Sequence, residues 1–357
     1  MVFEAIKQLK LQVNNVKQNQ INERIIMSNK FIAFISQLPI SEQDAWIKQL
    51  SQQLPNEHIV LSQRLTKEQQ EQCVIAIVAN PDPQEVMRFK HLIWCQSLWS
   101  GVDALVTAFS PPVDNDAFNN KPNKIDGIHF KLSRLIDDRL AQTMSEAVLT
   151  WTLYLHRSMH QYQQQQNNAI WRQIDYKLAS ERTVGILGLG ELGQTSALRL
   201  KANGFNVLGW SRSAKEIKGV CCLSGAQGLK ELAQRSNIIV CLLPLTAETQ
   251  YLIDCEFLKE LPAQACIINF ARGGIINNND LLNFLTKEPL SHAVLDVFEH
   301  EPLAIESYFW RHQQITVLPH ISAPTNMFTA SSIVADNINH YRATGQLPVC
   351  IDLAQGY

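Results

Sequence analysis

No stretch of this 357-residue chain is apolar for long enough to cross a bilayer. Neither sign of charge is in surplus, since 31 Lys and Arg stand against 33 Asp and Glu. A net charge of -2 carries no electrostatic footprint of a nucleic acid or a membrane surface as partner. The eight cysteines (Cys73, Cys95, Cys221, Cys222, Cys241, Cys255, Cys266 and Cys350) lack zinc-type spacing, and several fall inside apolar strand-like runs. They read as reduced, buried thiols of a cytoplasmic protein, with Cys221 and Cys222 as the single cluster. The start of the chain lacks the continuous apolar core and small-residue cleavage site of a signal peptide. Residues 1–29 are polar and glutamine-rich, with Phe3, Ile6, Leu9 and Val13 able to line one helix face. They read as an appendage, and Met27, just ahead of the first strand, is a candidate functional start.

What remains is a globular composition, 46% hydrophobic and 18% charged, at a length that suits two domains. The chain is organised around Glu181 to Gly193, ERTVGILGLGELG. There an apolar run, Val184 to Leu187, leads into Gly188, Gly190 and Gly193 and then into a helix-forming stretch, Gln194 to Ala202. Strand, GxGxxG and helix in that order form the first unit of a dinucleotide-binding fold. Gly188 permits the tight turn, Gly190 lets a pyrophosphate approach the backbone, and Gly193 lets the helix pack close to the strand. Glu191 and Leu192 complete the turn, and the phosphates meet the positive end of the helix dipole. The bland alternative is a strand-to-helix turn without a ligand.

The next strand, Phe205 to Trp210, ends in Ser211-Arg212-Ser213, with Lys215 shortly after. An NAD-binding unit places an acid on the adenine ribose at this point, and none stands here. A hydroxyl and two cations favour NADP(H) over NAD(H), NADH remaining a weaker possibility; the alternative is a solvated basic turn.

In chain order, strands are expected at Phe31–Ile35, His58–Leu61, Cys73–Ala79 and Leu92–Ser97, with a helix at Ser41–Gln53. This alternation indicates parallel α/β structure. Trp99-Ser100-Gly101-Val102-Asp103 follows a strand end, where a small-residue turn can present amides to an anion. Asp137–Tyr162 is the longest helical candidate, with Leu140, Met144, Val148, Trp151, Leu155 and Met159 in one stripe. It joins two α/β units, and Gln163–Ser180 links it to the glycine strand. Beyond, Asn237–Leu243 ends at Pro244 with Thr249 nearby, beside the expected adenine site. Ala265–Phe270 runs into Ala271-Arg272, Ala293–Phe298 into Glu299-His300-Glu301, and Ile315–Leu318 into Pro319-His320.

Three successive strands thus place Arg272, Glu301 and His320 at or just after their C-terminal ends, on the side where the dinucleotide must lie. Singly each has an ordinary explanation as a solvated or turn residue. Together they are the parts needed to reduce a 2-keto acid beside a hydride carrier. A cation holds the carboxylate and polarises the carbonyl, an acid protonates the new alkoxide, and an anion keeps the imidazole charged near neutral pH.

In order and spacing, GLGELG, LPLTAET, NFARGG, LDVFEHEPL and LPHIS resemble the D-isomer-specific 2-hydroxyacid dehydrogenase family, from about Cys73 to the C-terminus. Within it the chain is most similar to the bacterial NADPH-dependent glyoxylate/hydroxypyruvate reductases, through WSRS, SGVD and the terminal Ile351-Asp352-Leu353-Ala354-Gln355-Gly356-Tyr357. The resemblance implies that Arg272 binds the substrate carboxylate and keto oxygen, that His320 is the general acid/base, and that Glu301 pairs with it. It implies that Asp296 contacts the nicotinamide carboxamide and that the Ser100-Gly101 amides hold the substrate carboxylate. Leu243, Pro244, Thr249, Phe270 and Ala271 are the further expected cofactor contacts. The implied fold is two Rossmann-like α/β domains with a cleft between them, usually as a homodimer. A flavodoxin-like substrate domain (30–136 and 329–357) would enclose an NAD(P)-binding domain (137–328). The expected reaction is NADPH-dependent reduction of glyoxylate or hydroxypyruvate to glycolate or D-glycerate, alternatively of another 2-keto acid. A dinucleotide-sensing regulator on the same fold is the reading from another class. Trp99 and Phe270 depart from the family pattern, standing where a glycine and a small aliphatic residue are expected.

Overall fold

The computed structural model describes residues 30–109 and 128–353. The helix expected in residues 1–29, Met27 and the last four residues of the terminal motif lie outside them. The chain divides into two compact units, Met1–Asp137 with Thr325–Tyr357, and Asp138–Pro324.

The first unit is built on five parallel strands, β1 (Phe31–Ser36), β2 (His58–Leu61), β3 (Ile75–Ala79), β4 (Trp94–Ser97) and β5 (Lys131–Ser133), in the order β2-β1-β3-β4-β5. That order is the flavodoxin-like one. Every residue of β3 is buried, because helices cover both faces of a parallel sheet and each strand must be apolar on both sides. On one face, Trp46 and Leu50 of the helix Ile40–Gln53 pack with Val334, Ile338 and Tyr341 of the helix Met327–Thr344. Asn326 starts the second helix by accepting the Phe328 and Thr329 N–H groups, and Gly345 ends it in the left-handed conformation. Arg342 of that helix makes a two-pronged 2.8 Å pair with Glu57, tying the C-terminal segment to the sheet.

The second unit holds seven parallel strands: β6 (Thr183–Leu187), β7 (Asn206–Ser211), β8 (Cys221–Ser224), β9 (Ile238–Cys241), β10 (Cys266–Asn269), β11 (Ala293–Leu295) and β12 (Ile315–Val317). Their order is β12-β11-β10-β9-β6-β7-β8. The order reverses between β6 and β9, the switch point where a doubly wound sheet opens its ligand crevice. The turn after β6 is shaped by two glycines. Gly188 has φ 101°, and a Cβ on it would meet the Leu242 carbonyl oxygen at 2.8 Å. A Cβ on Gly193 would collide with the Gly188 carbonyl oxygen, so the helix Glu191–Ala202 lies against the turn only because position 193 has no side chain.

The structure departs from expectation in four places. The helix foreseen over Asp137–Tyr162 is two helices, Asp138–His156 and Met159–Asn167, separated by Ser158 in the left-handed conformation at φ 53°. The stripe does not continue through the break: Met159 is exposed, and His160 is buried beside His292 with ring centroids 4.7 Å apart. Several strands are one to three residues shorter at one or both ends than their apolar runs, since pairing ends where the chain turns away. The edge strand β8 and the helix Gly225–Arg235 were not foreseen, because the CCLS run is short and half exposed. All eight cysteines are free; Cys73, Cys95, Cys241 and Cys266 are buried, whereas Cys221 on the edge strand and Cys255 at a helix start are exposed. Among the described residues, no helix is long and apolar enough to cross a membrane.

Candidate active site

The glycine turn fits a dinucleotide pyrophosphate. Gly190 is the N-cap of the helix Glu191–Ala202, and no side chain caps the amides there. A Cβ on Gly190 would meet nothing within 4 Å. Packing therefore does not demand glycine at this position, while its bareness leaves the helix's positive end uncovered for an anion. Glu191 is exposed at the first helical position, and Leu192 packs onto the core beneath. The turn is joined to β7 through the Gly188 N–H, which donates to the Trp210 carbonyl at 2.9 Å, so the basic Ser211-Arg212-Ser213 segment stands beside it.

Each group of that basic segment is held by a partner. The Ser211 hydroxyl donates to the Ser213 carbonyl at 2.8 Å, and Lys215 Nζ donates to the Leu189 carbonyl in the glycine turn at 2.6 Å. Arg212 pairs with Glu248 at 3.2 Å. The sequence has no acid at the end of β7, but folding delivers one from the loop after β9. In that loop Leu243 is buried and Pro244 exposed. The Thr249 hydroxyl donates to the Pro244 carbonyl at 2.6 Å and accepts from the Thr246 N–H at 2.8 Å, so it closes its own loop. Phe270 and Ala271, after β10, are buried in the core clusters of the unit.

Arg272, Glu301 and His320 are brought together from the ends of β10, β11 and β12. His320 Nδ1–H donates to Glu301 Oε2 at 2.7 Å, and the other carboxylate oxygen, Oε1, accepts from the Phe298 N–H at 2.9 Å. Arg272 Nη1 donates to the Ala271 carbonyl at 2.6 Å, and its charge reaches both partners, lowering the pKa of each.

Three residues whose positioning was not read from the sequence hold this arrangement. Asp296, 1% exposed, accepts from the Ile321 N–H at 2.7 Å and the Ser322 N–H at 2.8 Å, and its carbonyl accepts from the His320 N–H at 3.0 Å. Its carboxylate thereby anchors the turn that carries His320, itself left-handed at φ 55°. Asn269 accepts from the Ala271 N–H and donates to the Arg272 carbonyl. A Cβ on Gly273 would collide with the Phe298-Glu299 backbone, so the arginine turn and the glutamate loop touch only because 273 is glycine. The Asn and Gly letters of NFARGG and the Asp of LDVF were visible, but nothing local says which backbone each one serves.

The electrostatics follow from these contacts. The hydrogen bond to Glu301 raises the His320 pKa above its ordinary value; burial opposes this, Glu301's charge adds to it, Arg272 opposes it and Asp296 adds to it. For Glu301, burial pushes the carboxyl up. The His320 and Phe298 hydrogen bonds and the charges of His320 and Arg272 outweigh burial and leave it below the usual value.

In the first unit, Ser100 and Gly101 follow β4, and the Ser100 hydroxyl accepts from Arg134 Nη1 at 3.2 Å. A guanidinium thus stands at this turn from 34 residues away in sequence. The Trp99 ring packs edge-on against Trp46 at 5.7 Å, which sets this bulky, partly buried departure against the unit's core. Among the described residues no His, Cys, Asp or Glu cluster could hold a metal ion.

Residues 149–322 match the family model described as D-isomer specific 2-hydroxyacid dehydrogenase, NAD binding domain. A glyoxylate/hydroxypyruvate reductase A of Serratia proteamaculans is 33% identical over 320 residues, covering 89% of this chain and 98% of the relative. The protein of that name from Yersinia enterocolitica is 32% identical over 321 residues, with the same coverage. A D-isomer specific 2-hydroxyacid dehydrogenase of Xanthobacter autotrophicus Py2, solved in complex with NADPH and MES, superposes with a TM-score of 0.80 at 31% identity, covering 92% of this chain and all of the other. An NADPH-dependent glyoxylate/hydroxypyruvate reductase of Sinorhizobium meliloti, solved with NADP and sulfate, gives 0.75 at 29% identity over 92% of this chain and all of the other. In keeping with its glycine turn, parallel sheets and three strand-end residues, the chain belongs to the D-isomer specific 2-hydroxyacid dehydrogenase family of NAD(P)-dependent oxidoreductases.

Proposed function

We propose that this enzyme reduces small 2-keto acids, glyoxylate and hydroxypyruvate, to the corresponding 2-hydroxy acids with NADPH. The observation that carries the reading is the 2.7 Å His320–Glu301 hydrogen bond within reach of the Arg272 charge. The names of the relatives support the substrate class. A bound reduced nicotinamide supplies the hydride. Arg272 holds the substrate carboxylate and stabilises the charge that grows on the keto oxygen. His320 donates a proton to that oxygen, and Glu301 keeps the imidazole charged and aimed. Asp296, whose carboxylate is spent on the amides after His320, acts as a positioning residue for that turn. Ser100 and Gly101 are assigned to the substrate carboxylate by the family resemblance, with Arg134 reinforcing their turn.

NADPH rather than NADH is supported by the cations at the end of β7 and by the NADPH and NADP in the two solved relatives. The pair between Arg212 and Glu248 is exposed, at 51% and 69%, so it is weak and its guanidinium can exchange the carboxylate for a 2′-phosphate. A homodimer is supported by the stretch 168–178, where Ile170 is 50%, Trp171 101% and Tyr176 63% exposed. Apolar and aromatic side chains so gathered in the open mark a surface for a second copy. The free thiols support a reducing compartment, the cytoplasm.

Five measurements check this. With glyoxylate, hydroxypyruvate, pyruvate and phenylpyruvate as a panel, loss of reduced nicotinamide should be fastest with the first two. Arg272→Ala should then lower kcat by about 10²–10³-fold, the cost of removing one preorganised donor to developing charge; a parental rate would remove its role. Reduction needs protonated His320, whose pKa is raised, so kcat/KM should hold at low pH and fall as pH rises through that value. Glu301→Gln should move the fall to lower pH, and an unmoved limb would show that Glu301 does not tune the imidazole. Arg212→Ala should raise KM for NADPH about tenfold or more with little change for NADH, whereas Glu248→Gln should lower it; equal effects on both cofactors would end the NADPH assignment. Light scattering should give the mass of two chains, and Trp171→Ser should shift it towards one; a single-chain mass for the parent would exclude the dimer.

A further inference from the structure

The turn that follows β4 is gripped from several directions within the first unit. The buried Ser97, at the end of β4, accepts the Trp99 N–H on its hydroxyl at 3.0 Å. The Leu135 N–H, just past β5, donates to the Trp99 carbonyl at 3.0 Å. Arg134, the first residue after β5, donates from Nη1 to the Ser100 hydroxyl at 3.2 Å. Beneath them the wholly buried Gln96 accepts from the Ser133 hydroxyl at 3.0 Å and Asn337 Nδ2 at 3.1 Å, and donates to the Ser97 carbonyl at 2.9 Å. The ends of β4 and β5 are thus locked in register, and the turn has a fixed shape before anything binds.

Arg134 is more than such a brace needs. A serine hydroxyl is satisfied by any neutral donor, whereas a guanidinium brings a full charge and five N–H groups in a planar fork. Among the described residues its hydrogen-bond partner is the Ser100 hydroxyl, and no carboxylate pairs with it. The side chain is half-buried, so its head is held at the turn and still open to a ligand. The backbone N–H groups of Ser100 and Gly101 likewise donate to none of the described residues. Because the Ser100 oxygen accepts from Arg134, its own O–H is left to donate. Two amides, a hydroxyl and an uncompensated guanidinium therefore gather at one strand end, and an anion there would meet all of them.

We propose that Arg134 is a substrate-binding residue: its guanidinium, directly and through the Ser100 hydroxyl, holds the carboxylate of the 2-keto acid and selects charged over neutral carbonyl compounds. The inference rests on the reading of the Ser100-Gly101 amides as the seat of that carboxylate. A carboxylate accepting from the Ser100 amide comes within reach of a guanidinium already 3.2 Å from the hydroxyl of the same residue. The carboxylate keeps its charge in keto acid, transition state and hydroxy acid, so Arg134 binds all three alike. It acts on affinity and not on the chemical step.

The test compares glyoxylate with its neutral amide, glyoxylamide, in the parent, Arg134→Gln and Arg134→Lys, with NADPH saturating. In Arg134→Gln the KM for glyoxylate should rise about tenfold or more, with kcat and the KM for NADPH held. For glyoxylamide kcat/KM should stay at the parental value, and Arg134→Lys should recover part of the loss on glyoxylate. Equal losses on the two substrates would make Arg134 a brace alone, and an unchanged KM for glyoxylate would show no contact; either result overturns the assignment. Should Arg134→Gln fail to fold, Arg134→Lys is read by the same comparison, since a point charge does not reproduce the fork. Oxamate, a carboxylate that is not reduced, titrated into the NADPH-saturated proteins reads the contact without turnover. It should bind Arg134→Gln more weakly than the parent, and equal binding or none to either overturns the contact. A parent that reduces no keto acid yet binds oxamate through Arg134 would end the proposed function and leave this contact standing.

Discussion

The His320–Glu301 hydrogen bond is the interaction on which the rest of the site depends, and it is made by backbone geometry as much as by the two side chains. Glu301 is oriented by the Phe298 amide, and the loop bearing that amide lies directly against Gly273. His320 sits on a left-handed turn held by Asp296. Three parallel strands end at neighbouring positions, each contributing one side chain of the proposed site; the turn after β10 packs on the loop before Glu301, and Asp296 after β11 holds the turn that carries His320. The carboxylate beside it raises the pKa of the imidazole, and the carboxyl's own pKa stays below its usual value although burial alone would raise it.

The cofactor turn follows a different rule. Gly188 and Gly193 are demanded by the protein's own atoms, one by its backbone angle and the other by the closeness of helix to turn. Gly190 is demanded by nothing in the protein, and its bareness is the mark of a ligand. Around that bare point the positive charges of Arg212 and Lys215 rest on provisional partners, a surface carboxylate and a backbone carbonyl. The Arg212–Glu248 pair is exposed and is exchangeable for a phosphate at little cost, because surface pairs of this kind contribute at most about 1 kcal/mol.

Much of this was readable in one dimension wherever a signal is local. Apolar runs of five or six residues between turns marked β1, β3 and β6, and the GxGxxG marked the switch point. The polar residues after β10, β11 and β12 stood out because each followed an apolar run directly. Signals failed where the deciding contact is remote. The CCLS edge strand is too short and too exposed to show a pattern, and the break at Ser158 leaves the helical spacing unchanged up to Leu155. Trp99 stood out only as a departure from the family pattern, and nothing near it in sequence says that its ring packs against Trp46.

By itself the sequence determined the fold class and the dinucleotide turn, and it marked Arg272, Glu301 and His320 as strand-end candidates, since each is carried by residue type at short spacing. Tertiary structure alone decided that Asp296 spends its carboxylate on backbone amides, that Glu248 meets Arg212, and that Arg134 reaches Ser100. Each of these joins groups from separate elements, and such a meeting is set by how strands stack and helices cross, for which no spacing along the chain is a proxy.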